Sequence, residues 1–311
     1  MKYFKVPNTN LEVSNVVMGC MHLTELSKAD ARRLIETAIG QGVNFFDHAD
    51  KYDNGECEAL FADAVEMNDD KRERMIIQSK CGIVEVEGKW AYYDFSRKHI
   101  LEAVKGSLKR LKTDYLDVLL LHRPDALMEP EEIAEAFDYL HSKGMVRYFG
   151  VSNQNPMQMK LIQRAVKQKL VFNQLQLSLA HTPMIDAGMA VNMKLDQSTE
   201  RDGSILEYCR LNDVTLQAWS PFQKGFFDGP FLGDMEHYAE LNRVIDRLAK
   251  KYEVPDTAIA VAWITRHPAN MQVITGTTKP TRLSDCCKGS NIPLTKQEWY
   301  ELYMAAGNMI P

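Results

Sequence analysis

"YLDVLLLHRPDALMEPEEIAEAFDYLHSKGMVRYFGVSN", residues 115–153, contains one full structural period of this chain. It begins with "YLDVLLLH" and ends with "VRYFGVSN", two short apolar runs that do not strictly alternate with polar residues. Such runs suit strands covered on both faces. Between them "EPEEIAEAFDYLHSKG" has the spacing of a helix, and a helical connection lets its two flanking strands run parallel.

The same unit repeats in both directions. Before it come "NVVMG" with "SKADARRLIETAIGQG", "VNFFDHA" with "ECEALFADAVEMN", and "RMIIQSK" with "SRKHILEAVKGSLKRL". After it, "PMQMKLIQRAVKQ" follows the fifth strand, and "VFNQLQLS" leads through a long connection to "SILEYCRLN". "VTLQAWSP" and "MQVITGT" complete the strands, with helical stretches around 236–252, 256–267 and 280–288. Eight units argue for a closed (β/α)8 barrel, a TIM barrel, occupying 1–311 as one domain. The length of 311 residues also suits two small domains, but a barrel of roughly 250 residues with additions accounts for it equally well. An open doubly wound sheet would carry a glycine-rich phosphate loop after its first strand. Here that strand runs into "VVMGCMHLTEL", with a single glycine. The opening "YFKVPNTNLEVS" reads as a hairpin around Pro7 to Asn10, ahead of the first barrel strand and placed to plug the barrel floor.

Composition narrows the function classes. The chain is 45% hydrophobic and 25% charged, with a net charge of -5 and scattered basic residues, so no broad nucleic-acid surface is expected. The first residues, "MKYFKVPNTN", lack the apolar core of a signal peptide, and no run reaches the length of a spanning helix. A cytoplasmic protein without membrane association is the expectation. Cys20, Cys57, Cys81, Cys209, Cys286 and Cys287 show no CxxC spacing, which argues against a zinc site or a disulfide framework and leaves no expected metal. The adjacent Cys286 and Cys287 read as small apolar residues beginning a helix, with redox sensitivity as the alternative.

Long connections after strands three, six and seven mark the carboxyl ends of the strands as the working face. Asp47, Lys80, His122, Ser152 and Asn153 all fall there. Alone, each has an ordinary reading: a turn cap, a snorkelling lysine, a rim histidine. Together with Tyr52, on the loop after Asp47, they form a proton-transfer set. A neighbouring ammonium makes a phenolate more accessible, and an aspartate keeps a partly desolvated lysine charged. Donors aimed at a carbonyl oxygen stabilise the alkoxide that forms when hydride reaches the carbon.

At these residues the chain resembles the aldo-keto reductases. "NFFDHADKY" is similar to that family's F-D-x-A-x-x-Y segment, "IIQSK" to its lysine strand and "DVLLLHRPD" to its histidine strand. The likeness runs from about Val16 to about Cys286. It implies Asp47, Tyr52, Lys80 and His122 as the catalytic tetrad, with Tyr52 the general acid in reduction and the general base in oxidation. It also implies NADP(H) as cofactor and a small-molecule carbonyl substrate. Through "FGVSN" and "NQLQLS", Ser152, Asn153 and Gln174 match the partners of the nicotinamide amide. Gly19, Cys20 and Met21, with Asp47, match the cofactor edge of the first two strands. Through "LQAWSPFQKG", Trp219 matches the aromatic that stacks on the nicotinamide, with Ser220, Phe222, Lys224 and Gly225 in the loop over the pyrophosphate. Through "VITGTTKPTRLSDC", Gly276, Thr277, Thr278 and Arg282 match the 2′-phosphate site at a helix start, and Asp285 with Cys286 the pair facing adenine. A guanidinium at Arg282 favours NADP over NAD. Met21, His22 and Trp90, with Tyr52 and His122, match substrate-facing positions.

The chain departs from the family in places. Gly276 stands where many members carry a phosphate-binding lysine, Cys286 where asparagine is common, and His48 where a small hydroxyl residue is usual. His48 either tunes the Lys80 pair or, by strand alternation, points toward the helices. Glu56 and Glu58 are expected to start the next helix, complementing its dipole. Two other functions compete: a cofactor-binding, redox-sensing regulatory subunit with little turnover, and a lyase forming a Schiff base on Lys80. The lyase reading leaves "TGTTKPTR" without a purpose.

Overall fold

The computed structural model describes residues 1–86 and 89–311. A hairpin of β1 (Tyr3–Lys5) and β2 (Glu12–Ser14) precedes the barrel. The chain then runs through β3 (Val16–Gly19), α1 (Lys28–Gly40), β4 (Phe45–Asp47), α2 (Glu56–Val65), α3 (Asp69–Glu73) and β5 (Ile76–Cys81). A second hairpin, β6 (Ile83–Val86) with β7 (Trp90–Tyr93), is followed by α4 (Arg97–Leu111), β8 (Leu116–Leu121), α5 (Pro130–Ser142) and β9 (Val146–Ser152). The remainder comprises α6 (Pro156–Ala165), β10 (Leu170–Gln176), α7 (Pro183–Met189), α8 (Ile205–Leu211), β11 (Thr215–Trp219), α9 (Ala239–Tyr252), α10 (Asp256–Thr265), β12 (Gln272–Thr275), α11 (Pro280–Lys288) and α12 (Lys296–Ala305). The closed parallel barrel has the order β10-β11-β12-β3-β4-β5-β8-β9, so the (β/α)8 reading holds. Among the described residues no helix is long and apolar enough to cross a membrane.

Strand alternation divides the apolar residues into two clusters. Outward-facing Val16, Met18, Phe46, Ile77, Leu119 and Val151 join the helices in one. Inward-facing Val17, Phe45, Val118, Leu120, Phe172 and Ile274 meet Val6, Leu11 and Val13 of the first hairpin in the other, so the hairpin does close the floor. At Gly150 the inner wall is too close for a side chain, because an added Cβ would lie 2.7 Å from both Leu120 and the Phe172 carbonyl oxygen.

Two elements depart from the sequence reading. The stretch after β5 is an antiparallel ribbon, and with no layer over it Trp90 is left 60% exposed beside exposed Tyr92 and Tyr93. The carboxyl end adds α12, begun by a capping box between Thr295 and Glu298. This helix covers α10, which is apolar nearly all round and must be buried on every side. Trp299 of α12 stacks on Trp263 of α10 with ring centroids 4.9 Å apart, and each indole N–H donates to the other's carbonyl, at 3.1 and 2.9 Å.

Candidate active site

The short strand β4 delivers Asp47 into the barrel at its mouth, and β5 delivers Lys80 beside it. Lys80 Nζ donates to Asp47 Oδ2 at 2.8 Å, to the His48 carbonyl at 2.9 Å and to Tyr52 Oη at 2.8 Å. Three acceptors match the three ammonium protons, so a fully buried cation is fully satisfied. Burial works against the Lys80 charge, but Asp47 and Tyr52 outweigh it and hold its pKa above the ordinary value. For Tyr52 the balance is reversed. Burial pushes its hydroxyl up to about 12 despite the opposing pull of Lys80, so the ammonium does not by itself bring the phenolate near neutrality. The His122 ring lies 6.0 Å from the Tyr52 ring, edge to face. Burial, with Lys80 next, lowers the His122 pKa well below the usual value, and its Nδ1 is enclosed without a partner. The site therefore combines a protonated phenol, a fixed ammonium and a neutral imidazole.

Beneath this set lies a glutamine layer that the sequence reading did not identify. Asp47 Oδ1 accepts from Gln78 Nε2 at 2.6 Å and from Gln174 Nε2 at 3.1 Å. Gln217 Oε1 accepts from both amides, and its own Nε2 donates to Gln272 at 2.8 Å. The layer seats Asp47 without adding charge. Alternation contained the signal, since Gln78 and Gln217 stand two residues before Lys80 and Trp219 and so share their inward face.

The Tyr52 loop turns sharply: Asp53, Asn54 and Gly55 all have left-handed backbone, with φ of 46°, 53° and 89°. Gly55 is required there, because an added Cβ would collide with Arg110. Arg110 reaches past it to Glu58 Oε2 at 2.8 Å, and Ser79 donates to Glu58 Oε1 at 2.6 Å. Glu56 and Glu58 both stand in the first turn of α2, as expected, with Glu56 exposed and Glu58 taking a further role, buried behind the site as an ion-pair anchor. Nearby Asp50 is raised to about 7, by burial first and Glu58 second. Lys51 pairs with Glu85 and ties the second hairpin to this loop. His48 points outward, buried edge-on against Phe61 of α2, and burial with Lys80 lowers it to about 3.

Around the mouth, Ser152 Oγ donates to the Gln174 carbonyl at 2.9 Å and accepts from Asn153 Nδ2 at 2.8 Å. Trp219 Nε1 donates to Asn153 Oδ1 at 3.1 Å. Gly19 ends β3, and Met21 and His22 stand half-buried on the loop beyond, His22 against Glu25 at 2.7 Å. Ser220 and Phe222 begin the loop after β11, Lys224 is tied to Asp234 at 2.9 Å, and the Gly225 carbonyl accepts from Gln176. Trp219, Asn153, Gln176 and Arg123 line a cavity of about 450 Å³. A larger hollow of about 750 Å³ opens at the floor side, between Asn8, Tyr148 and Lys167, and includes none of the strand-end residues.

At the other rim, α11 begins at Pro280 with no side-chain cap, Thr277 and Thr278 precede it, and Arg282 is exposed with no ion-pair partner among the described residues. Open N–H groups beside an unpaired guanidinium suit a phosphate. Asp285 pairs with Lys288 at 2.8 Å. Two expectations are corrected here. Cys286 is 1% exposed in the outer core, and Cys20 is fully buried, its pKa raised well above the ordinary value by burial first and Asp47 second, so neither thiol faces the rim. Cys286 and Cys287 also end α11 rather than begin it. All six cysteines are unpaired and buried.

The aldo/keto reductase family model matches residues 15–305. A 6-dehydroglucose reductase from Agrobacterium fabrum is 33% identical over 305 residues, 95% of each chain. A probable voltage-gated potassium channel subunit beta from Arabidopsis thaliana is 28% identical over 94% of this chain and 92% of its own. Among solved structures, a glycerol dehydrogenase from Gluconobacter oxydans superimposes with a TM-score of 0.78 at 22% identity, covering 97% of this chain and 94% of that one, a likeness of fold. With the barrel, the strand-end residues and a match along nearly the whole sequence, this chain belongs to the aldo/keto reductase family of oxidoreductases.

Proposed function

We propose that this protein reduces an aldehyde or ketone to an alcohol with NADPH, using Tyr52 as general acid. The observation that carries the reading is Lys80 Nζ bonded at 2.8 Å to both Asp47 and Tyr52. Bound NADPH supplies a hydride for the carbonyl carbon. Tyr52, which burial keeps protonated at neutral pH, gives its proton to the carbonyl oxygen as negative charge builds there. Lys80 stabilises the phenolate left behind, and the Gln78–Gln174 pair keeps Asp47 oriented to hold Lys80. His122, neutral, offers an N–H to the same oxygen and orients it without competing for the proton.

In this reading Thr277, Thr278, Arg282 and the open start of α11 hold the 2′-phosphate, and Gly276 leaves that task to Arg282. Ser152 and Asn153 meet the amide after exchanging the contact they now make with each other, Gln174 offers it the amide oxygen left free while its Nε2 holds Asp47 and Gln217, and Trp219 gives its face to the nicotinamide. The test is titration with NADPH and NADH, followed by a carbonyl panel that includes sugar aldehydes. NADPH should bind more tightly and be oxidised with some panel members. Tight binding without turnover on any of them would sink the reductase reading and favour the regulatory one, which the plant channel-subunit relative also motivates.

A further inference from the structure

Among the described residues, every arginine that the structure buries wholly or in part has a hydrogen-bond partner except one. Arg32 donates to Glu66, Arg72 to Asp117, Arg110 to Glu58 and Arg266 to the Leu294 carbonyl. Arg123, the residue after His122 at the end of β8, has neither an ion pair nor a hydrogen bond. The nearest carboxylate in sequence is already engaged: Asp125 accepts from the backbone N–H groups of Phe95, at 3.0 Å, and Leu127, at 2.8 Å. The guanidinium carbon instead lies 5.5 Å from the Trp219 ring and 5.6 Å from the Phe226 ring, where aromatic faces hold its plane without using its N–H donors. Arg123 also lines the 450 Å³ cavity, together with Asn153, His181 and Arg201. Burial lowers its pKa, partly countered by Tyr93 and Tyr52, which puts it in the electrostatic reach of the proton donor.

A guanidinium that is half-desolvated, oriented by two rings and left with free donors lacks a planar oxyanion partner. We propose that Arg123 receives an anionic group, a carboxylate in the first instance, on the substrate whose carbonyl is reduced at Tyr52, and so selects carbonyl compounds that carry negative charge. The inference rests on the reductase reading for its catalytic consequence, but the binding itself does not. A phosphate of the cofactor is the other source of the same chemistry.

The test has a turnover arm and a binding arm. In the first, kcat/KM is compared for carboxylate aldehydes and their methyl esters, using succinic semialdehyde and 2- and 4-carboxybenzaldehyde. Wild type should prefer the carboxylate, and Arg123→Gln should lower that carboxylate-to-ester ratio by about 10- to 100-fold, with Arg123→Lys intermediate. Thermal melts confirm that both variants are folded. In the second arm, benzoate and benzamide are titrated into the protein with NADP present, and tighter binding of benzoate should vanish in Arg123→Gln. An unchanged ratio, or a benzoate preference absent from wild type or retained in Arg123→Gln, overturns the proposal. So does a loss confined to NADPH affinity, which would assign Arg123 to the cofactor. An Arg123-dependent benzoate preference without any turnover supports Arg123 as an anion receptor and counts against the reductase reading alone.

Discussion

At the floor of the barrel, Val6, Leu11 and Val13 pack against Phe45, Val118 and Phe172 in an apolar cluster. Two residues along the same strand from Phe45, at the mouth, Asp47 is buried with Lys80 and a layer of hydrogen-bonded glutamines. The floor follows the usual rule that buried apolar area stabilises. The mouth does not, because desolvating an ion pair costs about as much as its attraction returns, so a buried pair is weak evidence for stability. That such a pair is kept where the chain opens to solvent points to chemistry as its use.

The sharpest way to separate the regions is Tyr52→Phe, which should cut turnover by about 10²- to 10⁴-fold, the usual range for a lost general acid. Cofactor affinity should be largely kept, since Lys80 retains Asp47 and the His48 carbonyl. Unchanged turnover in steady-state assays removes Tyr52 from the mechanism. The converse is Leu11→Ala at the floor, expected to cost about 2–5 kcal/mol in denaturant unfolding while kcat at low temperature stays near wild type. A parallel fall in kcat would mean that the floor and the mouth are not separable.

His48 offers a smaller effect with a defined sign. Its native pKa of about 3 lies below the unfolded value near 6.5, so between those values the unfolded chain binds the extra proton and stability falls as pH drops. The slope is about 1.4 kcal/mol per pH unit for a single such group. Urea unfolding at pH 7 and pH 5 should show wild type losing about 2 kcal/mol more than His48→Phe; equal losses would exclude His48 as a source of acid sensitivity. The smallest expected change is Arg282→Ala, weakening NADPH by about tenfold and NADH by much less, read by fluorescence titration. Equal weakening of both would show that Arg282 does not read the phosphate.

Much of the barrel was legible because eight apolar runs alternate with helical spacing, and local periodicity is set by short segments of chain. Three members of the proposed tetrad were legible because Asp47, Lys80 and His122 all fall at strand ends, where the fold assigns them one face. Other features lay beyond that logic. The first-turn place of Glu58 was legible, but its burial against Arg110 was not, because that partner stands 52 residues away. Cys286 read as rim-facing, although the turn of α11 that carries it packs inward.

Strand-end position was therefore enough to place Asp47, Lys80 and His122 around one mouth, because each depends on where a strand stops, while Tyr52, on the loop after β4, was added by the resemblance to the aldo-keto reductases. Tertiary structure decided the energetic balance among them. Whether burial or Lys80 prevails at Tyr52, whether Gln78 and Gln174 both reach Asp47, and whether Arg123 finds a carboxylate all depend on distances between strands far apart in sequence. Coulomb and desolvation energies follow those distances, which no local pattern encodes.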